Sequence, residues 1–509
     1  MTVHRILLCS ALALTLHSSF GAAADTKSTP SEQSIERFFA ALRKSPPELY
    51  AFLLKMPKGA DLHNHLAGAV YAETFLQQAA AEHVCIDRKS LSFVAATTLG
   101  GHCGEDQVDG AVPFSNSQLA SDLIDSLSMR DFVPGRESAH DHFFNTFSKF
   151  VGVSHGNSGD YLAEVIRRAA GQNESYLELM ALSAGGAISN LGQEAGLDAD
   201  FEITRQKLLR AGLEQQTAAL KSSVDELERN RIAALSCDAQ PDSLPCRVTV
   251  RYILQILRGS PKEQVFAQVL AGFMLASIDP RVVAVNFVQP EDSFTSMRDY
   301  HLHMQMVDFA KRLYPNVHIS LHAGELAAGL VPPEGLRFHI REAVQLGHAE
   351  RIGHGVDIMY ENDSRETLRF MHDHHIDVEV NLTSNDVILG IRGIDHPFPV
   401  YRKYGVPVTL STDDEGVSRT HLTQEYQRAV LTYNLTYSDL KEIVRNSLEY
   451  SFLPGQSFWR DASYRASATP CAAGRRGDSC QKFLAGSEKA RLQADLEDRF
   501  QTFEHSVRP

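Results

Sequence analysis

Eight short runs rich in Val, Ile and Leu recur along the chain, and their arrangement limits the fold more than any other feature. They read GADLHNHL, SYLELMAL, RVTVRYILQI, RVVAVNFV, NVHISLHAG, ERIGHG, IDVEVNLTS and VPVTLSTDD. Between the later runs stand segments of helical periodicity such as FHIREAVQLGH, SRETLRFMHDHH and HPFPVYRKYG. Strands that alternate with helices pair in parallel, because a parallel partner is reached only through a crossover. Eight such units predict an α/β fold, a (β/α)8 TIM barrel.

The units are not evenly spaced. The gap between the first and second runs is too long for a plain connection and predicts an inserted subdomain over the barrel mouth, at about residues 80–174. Ahead of the barrel, IERFFAALRKSPPELYAFLLKM reads as a helical arm over residues 25–56, broken at Pro46 and Pro47. The barrel then occupies residues 57–451, and residues 452–509 form an extension ending in the helical SEKARLQADLEDRFQTFEHSV.

Chemistry in such a barrel collects at the C-terminal ends of the strands. His63 and His65 end the first run, one residue apart, so on a strand both side chains reach the same face. His322 and Glu325 end the fifth, His354 the sixth, and Asp413 with Asp414 the eighth. Each motif alone is weak, since a histidine pair of this spacing more often decorates a surface. Their joint placement at strand ends is what argues for a site. By contrast His301 and His303 lie in a helical stretch, where a spacing of two turns them about 200° apart and forbids a shared ion. His372, His374 and His375 fall near a helix end, where the helix dipole accounts for them.

Three neutral imidazoles and one carboxylate suit zinc, which assigns His63, His65, His322 and Asp413 as ligands of one Zn2+ per chain. Zinc can lower the pKa of a bound water to about 7. Glu325, His354 and Asp414 remain, and their types fit acid, base and anchor in a hydrolytic attack on a carbon bonded to nitrogen.

The formal charge of −14 and the lack of a Lys/Arg cluster oppose a nucleic-acid partner and favour a small substrate. Residues 1–24 carry Arg5, an apolar run from Ile6 to Leu16 and small residues ending Ala22, Ala23 and Ala24, the pattern of a cleavable export signal too short to span a membrane. The expected location is therefore periplasmic or secreted, with no membrane attachment after cleavage. Cys9 leaves with the signal. The other six cysteines fall in local pairs that predict bridges Cys85–Cys103, Cys237–Cys246 and Cys471–Cys480.

MPKGADLHNHLAGA, HAGE, RIGHG, TSN at 383–385 and STDD, in this order, resemble the adenosine and AMP deaminase family of metal-dependent hydrolases. The cysteine pair after the first motif, HDHFFNTFSKF, YLEL and NSLEYSFL look closer to its secreted branch, the adenosine deaminase-related growth factors. The resemblance covers about Met56 to Ser451. It implies zinc on His63, His65, His322 and Asp413, with water as a further ligand. It also implies that Glu325 protonates purine N1 and that His354 orients and deprotonates the water. Gly324 would offer its backbone N–H to purine N3, and Asp414 would contact N7. The reaction implied is adenosine, and deoxyadenosine with it, to inosine and ammonia; AMP, adenine or a modified purine is the alternative substrate. A homodimer through the N-terminal arm is also carried over from the secreted branch. The chain departs from the family at Ala67, where many members have an acidic residue near the ribose, and at Glu415, where a proline commonly follows the two aspartates.

Two rival readings remain. A two-metal hydrolase on the same barrel would need a lysine at the end of the fourth strand, but RVVAVNFVQPED contains none. An adhesion or signalling protein on an inactive barrel would use RRGDS, between Cys471 and Cys480, to engage a receptor.

Overall fold

Parallel strands buried on both faces need near-continuous apolar sequence, and each of the eight runs supplies one. The computed structural model describes residues 30–94, 103–135, 137–154 and 158–507; the export signal expected at residues 1–24 lies outside them. In chain order the strands are β1 (Gly59–His65), β2 (Cys85–Asp87), β3 (Ser92–Val94), β4 (Gln107–Asp109), β5 (Glu174–Ser183), β6 (Thr249–Leu257), β7 (Val282–Val288), β8 (His318–Ala323), β9 (Arg351–His354), β10 (Asp377–Val380) and β11 (Val408–Leu410).

The sheet runs β1-β5-β6-β7-β8-β9-β10-β11, with every pairing parallel. It closes through a parallel bridge between Asn64 and Asp413, where Asp413 N–H donates to His63 O at 2.9 Å and His65 N–H to Asp413 O at 3.2 Å. This is the (β/α)8 TIM barrel. Its seam runs through three of the expected ligands, so barrel closure itself brings His63 and His65 to Asp413.

Between β1 and β5 the chain builds the elaboration that the long gap requires. It contains the antiparallel sheet β3-β2-β4 and the helices Ser117–Ser126 and Ala139–Ser154, ending in the crossover helix Ser158–Gly171. A second elaboration, not expected from sequence, fills the β5–β6 connection with helices Gly185–Ala195, Phe201–Arg210 and Leu213–Leu235. The N-terminal arm forms two helices, Pro30–Leu42 and Pro46–Lys55, with Pro46 and Pro47 at the start of the second, where a missing N–H costs nothing. Phe39 and Phe52 of this arm pack on Tyr437, and Phe52 also meets Phe503 of the C-terminal helix Glu488–Ser506.

The three disulfides pair as the local spacing predicts: Cys85–Cys103, Cys237–Cys246 and Cys471–Cys480. Arg476, Gly477 and Asp478 are exposed on the loop held by the last of them. Among the described residues no helix is long and apolar enough to cross a membrane.

Candidate functional site

Four strand ends converge in the barrel mouth. His63, His65, His322 and Asp413 are buried, and one ligand atom from each lies within 4.8 Å of all the others. The separations are 3.3 Å from His65 Nε2 to His322 Nε2, 3.4 Å from His65 Nε2 to Asp413 Oδ1, and 3.5 Å from His63 Nε2 to Asp413 Oδ1. Tetrahedral ligands about 2.05 Å from one ion stand roughly 3.3 Å apart, so these four fit a single small cation.

The rings are aimed by their other nitrogens. His63 Nδ1–H donates to Glu379 Oε2 at 2.7 Å, His65 Nδ1–H to Gln255 Oε1 at 3.2 Å, and His322 Nδ1–H to Asn286 Oδ1 at 2.9 Å. Each donation leaves the Nε2 lone pair for the centre, as metal-ligating histidines require. His63 Nε2 is buried without a hydrogen-bond partner. The fourth ligand is positioned by Ser384, whose Oγ–H donates to Asp413 Oδ2 at 2.7 Å.

Electrostatics support the same fit. Burial pushes the His65 imidazole down to about 4 and His322 well below its ordinary value, so both are neutral ligands. Burial also opposes ionisation of Asp413, but His63, His354 and His65 outweigh it and hold the carboxyl well below the usual carboxylate range. His63 differs: burial works against its charge, yet the neighbouring carboxylates of Asp413 and Glu379 raise it to about 10. A cation between His63 and Asp413 can take the place of that proton.

The expected catalytic groups face the same space. Glu325 Oε1 is 3.6 Å from His354 Nδ1, and His354 Nε2 is 3.8 Å from Asp413 Oδ2. His354 and Asp413 both have left-handed backbone, with φ of 71° and 60°. Such a conformation is uncommon for residues other than glycine and clusters at functional sites. Burial, reinforced by Asp413 and Glu291, raises Glu325 well above the usual carboxylate range. Burial and the neighbouring Asp413 do the same to Asp414, whose Oδ1 has no hydrogen-bond partner. Two carboxyl groups are thus pushed toward the acid form beside one held ionised.

Gly324 is where the structure departs from expectation. Its N–H does not face the cavity as a free donor but donates to Glu291 Oε1 at 3.1 Å, while the N–H of Glu325 donates to Glu291 Oε2 at 3.0 Å. A buried carboxylate satisfies both donors of the turn, which removes Gly324 N–H as a ready partner for purine N3. Glu415 is also engaged, accepting from Arg168 Nη2 at 2.8 Å. The histidines set aside lie elsewhere: His301 is exposed beside Glu342, and His303 is buried against Phe287.

A cavity of about 370 Å3 opens onto this cluster, with Asp413, Asp414, His65, His322, Glu325 and Gln255 on its floor and wall. Phe143, Phe144 and Phe147, from the helix Ala139–Ser154, form an aromatic side. Among the described residues lining it there is no Lys or Arg. Sequence reasoning missed Gln255, Asn286, Glu291 and Glu379. Three of these, Gln255, Asn286 and Glu379, are polar interruptions inside strands otherwise built for a core, and that break in pattern is the signal that could have found them.

Comparison with known proteins points the same way. The adenosine deaminase family profile matches residues 213–458. An adenosine deaminase of Clostridium acetobutylicum is 28% identical over 238 residues, 46% of this chain and 65% of that protein. One of Clostridium perfringens (strain 13) is 36% identical over 135 residues, 26% of this chain and 37% of the relative. The matched stretches therefore span less than two thirds of either relative's length. Among solved structures, Arabidopsis ADAL in complex with IMP superposes with a TM-score of 0.54 at 18% identity, covering 89% of this chain and 99% of that one. An adenine deaminase from Arthrobacter aurescens gives 0.52 at 16% identity, covering 87% and 98%. An amidohydrolase from Burkholderia ambifaria with bound Zn gives 0.50 at 17% identity, covering 88% and 94%. At these identities the structural likeness is one of fold.

Proposed function

We propose, from the match of residues 213–458 to the adenosine deaminase family profile and the likeness to curated adenosine deaminases, that the chain is a zinc-dependent hydrolase of the adenosine/AMP deaminase family converting adenosine, and deoxyadenosine with it, to inosine and ammonia. The observation that carries this reading is the buried cluster of His63, His65, His322 and Asp413, with the Glu325 carboxyl, pushed by burial toward its acid form, beside it. An acid of that kind can protonate a ring nitrogen whose basicity rises as the adjoining carbon is attacked.

His63, His65, His322 and Asp413 would hold the ion. When bound, zinc supplies Lewis acidity that makes water nucleophilic near neutral pH. Glu325 gives its proton to N1, which draws electrons from C6. Asp414, also in its acid form, donates to N7 and fixes the plane of the base. His354 and Asp413 would orient the attacking water, and the ionised Asp413 carboxylate would take up its proton. Water adds to C6, the proton taken from it passes to N6, the C6–N6 bond breaks as ammonia leaves, and the remaining hydroxyl proton returns to Glu325 as the C6 carbonyl forms. The aromatic side formed by Phe143, Phe144 and Phe147 covers the purine and excludes bulk water.

The lining favours an unphosphorylated substrate. AMP carries a phosphate that needs Lys, Arg or a helix N-terminus, and among the described residues lining the cavity there is neither Lys nor Arg. Export to an oxidising compartment is part of the proposal, and the three disulfides support it.

The test is ammonia release from adenosine, deoxyadenosine, AMP and adenine, before and after metal removal and after zinc is restored. Release from the two nucleosides that vanishes with the metal and returns with zinc is the expected result. A preference for AMP would overturn the reading of the lining; no release from any of the four with zinc bound would overturn the activity.

A further inference from the structure

A chain of buried hydrogen bonds begins at a backbone amide and ends at the His354 ring. Phe398 N–H donates to His396 Nδ1 at 3.1 Å. A backbone N–H can only donate, so His396 Nδ1 carries no proton and its Nε2 must carry one. His396 Nε2–H therefore donates across 3.0 Å to Asn385, which makes the atom it meets the amide oxygen, Oδ1. That fixes the Asn385 amide: its NH2 faces His354 Nδ1 at 2.9 Å and donates to it. Asn381 Nδ2 stands 3.5 Å from the same nitrogen, a second amide on that side. His354, Asn385 and Asn381 are fully buried, and His396 is 2% exposed. No water is needed to complete the sequence.

The consequence falls on the other side of the ring. With Nδ1 occupied as an acceptor, the proton of His354 resides on Nε2, which points toward Asp413 Oδ2 at 3.8 Å and has no hydrogen-bond partner. We infer that Asn385 and His396 are positioning residues that lock His354 in its Nε2–H tautomer, so that His354 acts on the attacking water as a hydrogen-bond donor and not as the base. This deepens, and rests on, the reading of the site as a hydrolytic deaminase, and it revises the base role suggested by family resemblance. Holding an imidazole in one tautomer through its far nitrogen is a known device, and imposing the wrong tautomer can cost a hydrolase about 10⁴ in kcat. Here the neutral amide and the second imidazole do the holding, and the direction is opposite to that of a carboxylate partner. A carboxylate would draw the proton to Nδ1 and free Nε2 as a base; an amide NH2 does the reverse.

The test uses the full zinc-loaded chain and has two arms. In the first, nitrogen-15 NMR of the histidine rings, with His354 assigned by its loss in His354→Gln, reads the tautomer without any substrate. The expected result is a protonated Nε2 and a bare Nδ1 in the wild type, reversed in Asn385→Asp, whose carboxylate can only accept. A protonated Nδ1 in the wild type, or an unchanged tautomer in Asn385→Asp, would overturn the inference.

The second arm is steady-state kinetics with adenosine. Asn385→Asp and His396→Leu should lose about 100-fold or more in kcat, with KM within about 3-fold and zinc content unchanged. His396→Gln can still accept from Phe398 and donate to Asn385, and should stay within about 5-fold of wild type. Equal losses in His396→Gln and His396→Leu would show a merely structural role and defeat the proposal. If the wild type releases no ammonia from any purine, the proposed function fails, while the NMR arm still decides the tautomer.

Discussion

Gly68 shows how closely single residues are fitted around the cavity. A Cβ at this position would lie 1.7 Å from Asp414 Oδ1 and 2.4 Å from its Cγ, so the short helix Leu66–Ala69 after β1 packs where any side chain would take space from the carboxyl. Gly68→Ala should displace Asp414 without touching a metal ligand. The expected outcome is a rise in KM for adenosine of about 10-fold or more, the loss of one good hydrogen bond to a base, with zinc content unchanged by metal analysis. Glu325 makes a prediction of a different kind. Burial, then Asp413 and Glu291, raise its pKa, and in the proposed reaction it is the acid form that works. A bound cation offsets Asp413 but not burial. Activity carried by Glu325 is therefore fully present at pH values below its raised pKa and falls as pH rises through it. A pH profile of kcat/KM should show this alkaline limb, and Glu325→Gln, which has no proton to give, should leave a residual rate about 100-fold lower or less with that limb gone.

At the scale of elements, legibility follows how far apart in sequence the cause and its effect lie. The barrel was readable because apolar runs and crossovers are local patterns; even β9, of four residues, and β11, of three, announce themselves by RIGH and VTL within longer apolar runs. That His63, His65, His322, Asp413 and Glu325 come together was readable because strand ends in a barrel share one face. Glu379 was not, since its partner His63 is 316 residues away and nothing near either residue encodes the pairing. The same holds for Gly324, whose N–H is claimed by a glutamate 33 residues upstream. The helix Ala139–Ser154 is a further case: the sequence shows an insertion, but only packing shows that Phe143, Phe144 and Phe147 turn into the cavity. If that helix forms the substrate's aromatic wall, Phe144→Ala should raise KM about 10-fold, the value of an aromatic contact plus its buried area, and leave kcat within about 3-fold. An unchanged KM would mean that the helix closes the barrel mouth without touching substrate.

Across the whole molecule, the site rests on a charged network threaded through the barrel axis. Glu379 accepts from His63 Nδ1, from Ser320 Oγ at 2.9 Å and from Arg351 Nε at 2.6 Å; Arg351 Nη2 also donates to Glu178 at 2.5 Å and its guanidinium lies over Phe452. Strands β5, β8, β9 and β10 thus meet β1 through polar side chains that are essentially fully buried. Burial disfavours the charge on Glu379, but Arg351 and His63 outweigh it and lower its pKa to about 2, so it is ionised throughout the physiological range. Removing one partner of a buried network strands the others, whereas changing its charge alone tests its effect on the ion. Glu379→Gln retains an acceptor for His63 and should weaken zinc binding by about 10- to 100-fold, as loss of such outer partners generally does. Because an ion that binds only the folded state adds RT ln(1 + [L]/Kd) to stability, that weakening subtracts about 1.4 to 2.7 kcal/mol from zinc stabilisation at a fixed, saturating zinc concentration. Thermal melts of wild type and Glu379→Gln, each with chelator and with zinc, separate this from the cost of disturbing the network, since the latter lowers both melts equally. A zinc-induced shift in Tm as large in the variant as in the wild type would show that the axial network holds the barrel together without tuning its metal centre.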